Sequence, residues 1–269
     1  MSLVYEDDYV RLYQGRWQDH DIAAIAGQAV DAIVTDPPYG ETSLEWDAWP
    51  TGWPSDAAEL TNALWCFGSF RMFHDHAPEF AEWKLSQEIV WEKHNGSGFH
   101  SDRFKRVHEL AVLWYRGDWE NLHHVTPTTP DATPRTVRRK TRPTHTGNIE
   151  ASAYRSEDGG PRLMRSVQYV RSEHGRAIHP TQKPEGIVAP LIEYSVPLGG
   201  LVVDLFAGSG TTAAVARSLG RKCIAFELRK DYAQAAAQRL AQQPLDFAAL
   251  ELTSDEATAR ILAQIGGAP

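Results

Sequence analysis

Thr35-Asp36-Pro37-Pro38-Tyr39-Gly40 is the stretch on which the reading of this chain turns. A short apolar run, Val30 to Val34, leads into it and predicts a buried strand. Two prolines in succession then stop both sheet and helix, because neither has an N–H to donate and each has a fixed φ. The stretch therefore predicts a stiff loop at the carboxyl end of a strand, which is where open α/β sheets bind ligands. Asp36 offers a rigid acceptor carboxylate there, and Tyr39 sets a flat ring beside it. A planar base with an exocyclic amino group suits that pair. A proline-rich turn whose Asp caps a helix and whose Tyr packs in the core would leave the same residues.

A second stretch shifts the balance. Gly200 to Leu205 reads as a buried parallel-type strand, and Phe206-Ala207-Gly208-Ser209-Gly210-Thr211-Thr212 as a Gly-rich turn opening a helix from Thr211 to Leu219. Glycines let a ligand approach the backbone, and a helix start offers free N–H groups. The next strand, Lys222 to Phe226, ends at Glu227. An acidic side chain about twenty residues beyond such a loop holds ribose hydroxyls in dinucleotide-type sites. No Gly-Lys-Ser/Thr follows, so this is not a phosphate-binding P-loop. This half alone fits an adenosine-containing cofactor and also leaves a hydride-transfer dehydrogenase open.

The rest of the chain alternates in the same manner. Strands are predicted at Val10 to Tyr13, Ala63 to Phe67, Lys84 to Glu92 and Leu110 to Tyr115. Helices are predicted from Ser55 or Asp56 to Asn62, Phe70 to Phe80 with a break near Pro78, Glu185 to Ser195 and Asp231 to Gln243, with a helix-like stretch before Ala29 and a last amphipathic helix between Thr253 and Gly266. Residues 41–54 contain Trp46, Trp49 and Trp53 without a period and read as a long loop, either a lid or a set of core anchors.

The 269 residues suffice for one large α/β domain with an insertion. Cys66 and Cys223 are too few for a disulfide framework or a zinc cluster, so no metal is expected. The cysteine usage fits a reducing cytosol, and with no signal-peptide pattern at the polar start a cytoplasmic protein is expected. The longest apolar stretch, Leu198 to Phe206, is interrupted by Asp204 and does not reach membrane-spanning length. Net charge is −8, yet residues 131–178 hold ten basic and five acidic side chains, a surplus of +5 that leaves −13 for the remainder. Within that segment Arg135, Arg138, Arg139, Lys140 and Arg142 are candidates for phosphate contacts.

The two motifs together resemble those of the amino-group DNA methyltransferases of permuted, beta-type order, specific for adenine N6 or cytosine N4. Asp36-Pro37-Pro38-Tyr39 resembles the family's catalytic motif, and Asp204 to Thr212 its S-adenosyl-L-methionine motif, in the subgroup's order. Trp91-Glu92-Lys93, His108-Glu109 and His179-Pro180-Thr181-Gln182-Lys183-Pro184 are similar to weaker family elements. The resemblance implies a doubly wound, mostly parallel Rossmann-like sheet formed by residues 1–117 and 177–269, with residues 118–176 inserted as a target-recognition region. It implies S-adenosyl-L-methionine held by Phe206, Gly208, Gly210 and Thr211, beside Asp36 and Asp204, with Glu227 on the ribose and Thr181 and Lys183 on the methionine carboxylate. Asp36 and the Pro37 carbonyl would accept the amine's hydrogens, and Tyr39 would stack on a base flipped from double-stranded DNA. His108 and Glu109 are expected to be structural or supporting. Neither cysteine follows a proline, so the Pro-Cys nucleophile of a cytosine C5 enzyme is absent. Asp at position 36 favours adenine over cytosine. RNA or a protein glutamine as substrate, and a non-catalytic DNA-binding protein, are the alternatives; a homodimer and a cognate restriction enzyme stay open.

Overall fold

Alternating apolar runs and turn residues produce a sheet with helices on both faces. The structure, a computed structural model, describes residues 2–94, 96, 101–138, 153–173, 175 and 177–242. The first half contains β1 (Ser2–Glu6), β2 (Val10–Gln14), α1 (Ile22–Ala26), β3 (Ala32–Thr35), α2 (Trp53–Ala57), β4 (Ala63–Gly68), α3 (Phe70–Asp75), β5 (Lys84–Glu92) and β6 (His108–Tyr115). Five short strands follow: β7 (Thr128–Thr129), β8 (Arg135–Arg138), β9 (Ala153–Ser156), β10 (Arg162–Leu163) and β11 (Val167–Tyr169). The chain then forms α4 (Glu185–Ser195), β12 (Leu201–Asp204), α5 (Thr211–Ser218), β13 (Lys222–Glu227) and α6 (Lys230–Ala241). The predicted helix between Thr253 and Gly266 lies outside the described residues.

The main sheet runs β1-β2-β13-β12-β3-β4-β6-β5-β11. Its strands are parallel apart from β1 and β6, which pair antiparallel with their neighbours. Alternate residues feed two cores. Val34, Trp65 and Val202 face α4, α5 and α6 on one side; Ile33, Leu64, Cys66 and Val203 face Ile22, Trp53 and Met72 on the other. Each large aliphatic side chain so buried contributes roughly 1.5–3 kcal/mol. Trp65 is fully enclosed, and its Nε1 donates to Ser195 Oγ at 2.8 Å, so the indole N–H is not left unpaired.

Strand topology places the site. From β12 the chain turns through α5 to β13 on one side, and from β3 it turns through α2 to β4 on the other. Since β12 and β3 are neighbours, their outgoing loops diverge and leave a crevice, a topological switch point. The two motifs read from the sequence sit on those two loops.

The structure departs from the sequence expectations in several elements. Residues 2–6, read as a polar N-terminus, form β1; Asp7 closes the turn by accepting the N–H groups of Tyr9 and Val10 at 2.8 and 2.7 Å. The helix expected from Ser55 or Asp56 begins at Trp53, because Gly52 supplies the left-handed turn (φ +86°) and the Ser55 hydroxyl bonds Glu82. The break expected near Pro78 falls at His76: α3 ends at Asp75, and a short 3-10 turn follows over Ala77–Phe80. The irregular stretch between β6 and α4 contributes β11 to the main sheet, parallel to β5.

Candidate active site

Asp36 leaves β3 at the switch point, partly buried, beside three other charged side chains, of which Lys183 is buried and Glu109 and Lys93 are partly so. Its Oδ2 pairs with Lys183 Nζ, and its Oδ1 accepts the Tyr39 hydroxyl at 2.6 Å. Lys183 Nζ lies 3.3 Å from Glu109 Oε2, and Glu109 Oε1 pairs with Lys93 Nζ. The result is an alternating row, Asp36–Lys183–Glu109–Lys93, drawn from the end of β3, the segment before α4, the start of β6 and the end of β5. Glu109 Oε2 is buried and makes no well-aligned hydrogen bond despite that ion contact. Aromatic faces complete the surroundings of Lys183, with the Phe67 centroid 5.2 Å and the Tyr39 centroid 5.7 Å from Nζ.

Burial acts against the charges of Asp36, Lys183 and Glu109, and neighbouring charges oppose it or add to it. For Glu109, burial is outweighed by Lys183 and Lys93, which hold the carboxyl down at about 2. For Lys183, burial is outweighed by Asp36 and Glu109, so the ammonium lies above its usual value. Asp36 is raised by burial, with Lys183 opposing and Glu109 adding to the rise. Lys183 is thus shared, while Glu109 alone has a second cation.

The glycine loop closes the other side of the crevice. The Thr35 hydroxyl donates to Asp204 Oδ1 at 2.8 Å and accepts Leu205 N–H at 3.2 Å, which locks β3 to β12 where both motifs begin. Gly208 and Gly210 both adopt positive φ (+51° and +72°), and a Cβ on Gly210 would press on Ala236 of α6 at 3.3 Å. Arg239 of α6 clamps the loop, donating to Ser209 O at 3.1 Å, Thr211 Oγ1 at 2.9 Å and Glu185 Oε1 at 2.7 Å. Glu227 accepts the N–H groups of Gly208 and Arg229, both at 2.8 Å, and burial lifts its carboxyl to about 7. Asp204 is likewise lifted by burial, to about 6.

Residues 41–52 form the roof. Asp47 is buried and gathers the backbone N–H groups of Tyr39, Gly40, Glu41 and Thr42 at 2.7–3.1 Å. The three tryptophans divide between the two expected roles. Trp53 is a core anchor, fully buried, and Trp49 stacks on His76 at 4.0 Å. Trp46 lines the cavity, 5.4 Å from the His179 ring and 6.3 Å from the Tyr232 ring. His179 is held neutral, at about 4, by burial and by Lys183 and Arg229.

The crevice measures about 480 Å³ and is lined by both motifs, within the roughly 300–1,000 Å³ of small-molecule sites. Comparison with known proteins decides the family. A family model described as DNA methylase, of the N6/N4 methyltransferase type, matches residues 30–238. The chain belongs to the N6/N4 DNA methylase family. The methylase is 24% identical over 271 residues to the type II methyltransferase M.HinfI of Haemophilus influenzae, covering 86% of this chain and 69% of the relative. It is 27% identical over 263 residues to the type II methyltransferase M.ScaI of Streptomyces caespitosus, covering 88% and 83%. Its fold matches the crystal structure of the M1.HpyAVI–SAM complex, at TM-score 0.58 and 22% identity, covering 86% of this chain and 99% of that one. It also matches the PvuII cytosine-N4-specific DNA methyltransferase, at TM-score 0.59 and 15% identity, covering 99% and 96%.

The methylase is S-adenosyl-L-methionine dependent, and the cavity suits that cofactor. Three carboxyl groups, the buried Asp204 and Glu227 and the partly buried Asp36, face a space that would hold a cationic sulfonium. Glu227 keeps lone pairs for hydroxyls beside its two backbone bonds. Among the described residues no helix is long and apolar enough to cross a membrane.

The structure gathers Asp36, Pro37, Pro38, Tyr39, Thr181, Lys183, Asp204, Phe206, Gly208, Thr211 and Glu227 around this one cavity, with Gly210 at the start of α5 behind it. Arg135 lies exposed on β8, which also includes Arg138; Arg139, Lys140 and Arg142 lie outside the described residues. Trp46 lies in the loop read as a lid or a set of core anchors, whereas sequence reasoning missed Lys93, Asp47, Tyr232 and Arg239 as members of the site. Lys93 follows Trp91-Glu92 at a strand end, so it carried a weak signal; the others carry none without the fold.

Proposed function

We propose that the methylase transfers a methyl group to the N6 amine of an adenine rotated out of double-stranded DNA. The observation that carries this reading is the partly buried Asp36, fixed by two prolines at the switch point and joined to the glycine loop through Thr35 and Asp204. Bound S-adenosyl-L-methionine supplies an electrophilic methyl on its sulfonium. An aromatic amine is a weak nucleophile because its lone pair is delocalised into the ring. One Asp36 oxygen accepts one amine hydrogen, and the Pro37 carbonyl accepts the other. A carboxylate offers about four lone-pair sites, so each Asp36 oxygen keeps one beside its bond to Tyr39 or Lys183. That geometry aims the nitrogen lone pair, and catalysis rests on positioning and electrostatics.

Tyr39 gives the base a flat face. Glu227 holds the ribose hydroxyls. The Thr181 hydroxyl and the remaining Lys183 donor take the methionine carboxylate; Asp36 and Glu109 keep Lys183 charged, and Lys93 holds Glu109 in place. Arg135, Arg138, Arg139, Lys140 and Arg142 contact phosphates. The protein works in the cytoplasm. The type II names of its relatives support a cognate restriction enzyme, and a homodimer is the assembly to look for. Labelled cofactor incubated with mixed genomic DNA, followed by nucleoside mass spectrometry and site mapping, tests the reading. N6-methyladenine supports it, N4-methylcytosine replaces the base, and no methylated nucleoside overturns it.

A further inference from the structure

The loop between β5 and β6 presents Arg103-Phe104-Lys105-Arg106. Phe104 is 103% exposed, the highest value among the large hydrophobic side chains of the described residues. Residues 101–107 contain three cations against Asp102, a surplus of +2 in a chain of net charge −8. The loop leaves the carboxyl end of β5, and β5 runs in the same direction as β3 and β4 because β6 is antiparallel to both of its neighbours. It therefore stands on the edge of the sheet that holds Asp36. Two contacts tie it to the site: Arg106 Nη1 lies 3.0 Å from Glu41 Oε2, just after Gly40, and Glu109 at the start of β6 pairs with Lys183.

We propose that Phe104 enters the base stack of the duplex as the target base rotates out, with Arg103 and Lys105 on the flanking phosphates. The inference rests on the reading of flipped double-stranded DNA as substrate. Rotating a base out leaves a gap in the stack and forfeits its stacking, and apolar wedges fill such gaps in proteins that deform DNA. A fully solvated phenyl ring between cations, on the edge where the base must enter, matches a polyanion with a newly opened apolar slot. An apolar protein surface would not call for the cations.

Phe104→Ala tests this without disturbing the core, since the ring touches solvent; an unchanged melting temperature verifies it. Methyl transfer is measured on a duplex carrying the mapped recognition site, and on the same duplex with an abasic position opposite the target. We expect kcat/KM on the intact duplex to fall about tenfold or more, KM for the cofactor to stay constant, and the abasic duplex to recover most of the loss because its target base flips cheaply. Wild-type rates for the variant on the intact duplex, or equal losses on both duplexes, overturn the proposal. A wild-type enzyme that methylates neither duplex overturns the substrate reading and this inference with it.

Discussion

Asp36 and Glu109 are two partly buried carboxylates competing for one lysine, and their second neighbours separate them. Glu109 has Lys93 as well, so it stays ionised at about 2, whereas Asp36 is raised by burial and by Glu109. Asp36→Ala is expected to abolish methyl transfer and to leave cofactor binding by titration within a few-fold of wild type. Glu109→Gln removes a like charge and a rival anion, so the pull of Lys183 falls mainly on Asp36 and lowers its pKa. The acid limb of the kcat–pH profile should then move to lower pH, and an unmoved limb would show that Glu109 only packs. Glu227 titrates near neutrality, at about 7, because burial disfavours its charge. Cofactor affinity should therefore tighten as pH rises from 6 to 8, and Glu227→Gln should flatten that dependence in a calorimetric series.

Among the elements, the roof loop depends most on a single side chain. Asp47 binds four consecutive amides, so the backbone after Tyr39 wraps one carboxylate and is not free to splay. These bonds hold its carboxyl below the usual value in spite of burial. Asp47→Ala orphans those donors at a cost of about 1–3 kcal/mol. The expected results are faster hydrogen exchange at residues 39–42 and weaker cofactor binding, with β12 and β13 unaffected. The β1 turn shows the same device, with Asp7 gathering Tyr9 and Val10, and sequence reading passed over both because an Asp among polar residues looks like solvated surface.

Across the whole molecule, charge is divided between an acid-lined cavity and a basic segment. Glu227 and Asp204 have folded pKa values above their unfolded ones, so the folded state binds extra protons. Their stabilisation is full below the unfolded values and is lost as pH rises through about 6 and 7. Glu109 acts in the opposite sense, its contribution being lost as pH falls towards about 2. The melting temperature of the cofactor-free protein should thus decline from pH 5.5 to 8, less steeply in Glu227→Gln. The surplus of +5 in residues 131–178 predicts that DNA affinity falls linearly on a log–log plot against salt. A filter-binding series in salt would check it, and a flat line would move DNA contact away from that segment.

The two motifs, their order and the strands that carry them were legible in the sequence, because proline pairs, glycine turns and apolar runs act within a few residues of themselves. Asp36, Gly208, Gly210 and Glu227 could be named for that reason. Element ends were less legible: Gly52 rather than Ser55 starts α2, and β11 joins the sheet only by pairing with β5. The tertiary structure alone decided which charges meet. Lys93, Glu109 and Lys183 stand far apart in the chain, and no local pattern marks them as one row. They meet because the antiparallel β6 brings its first residues to the edge where β3 and β5 end, and because burial there leaves each charge only another charge to pair with.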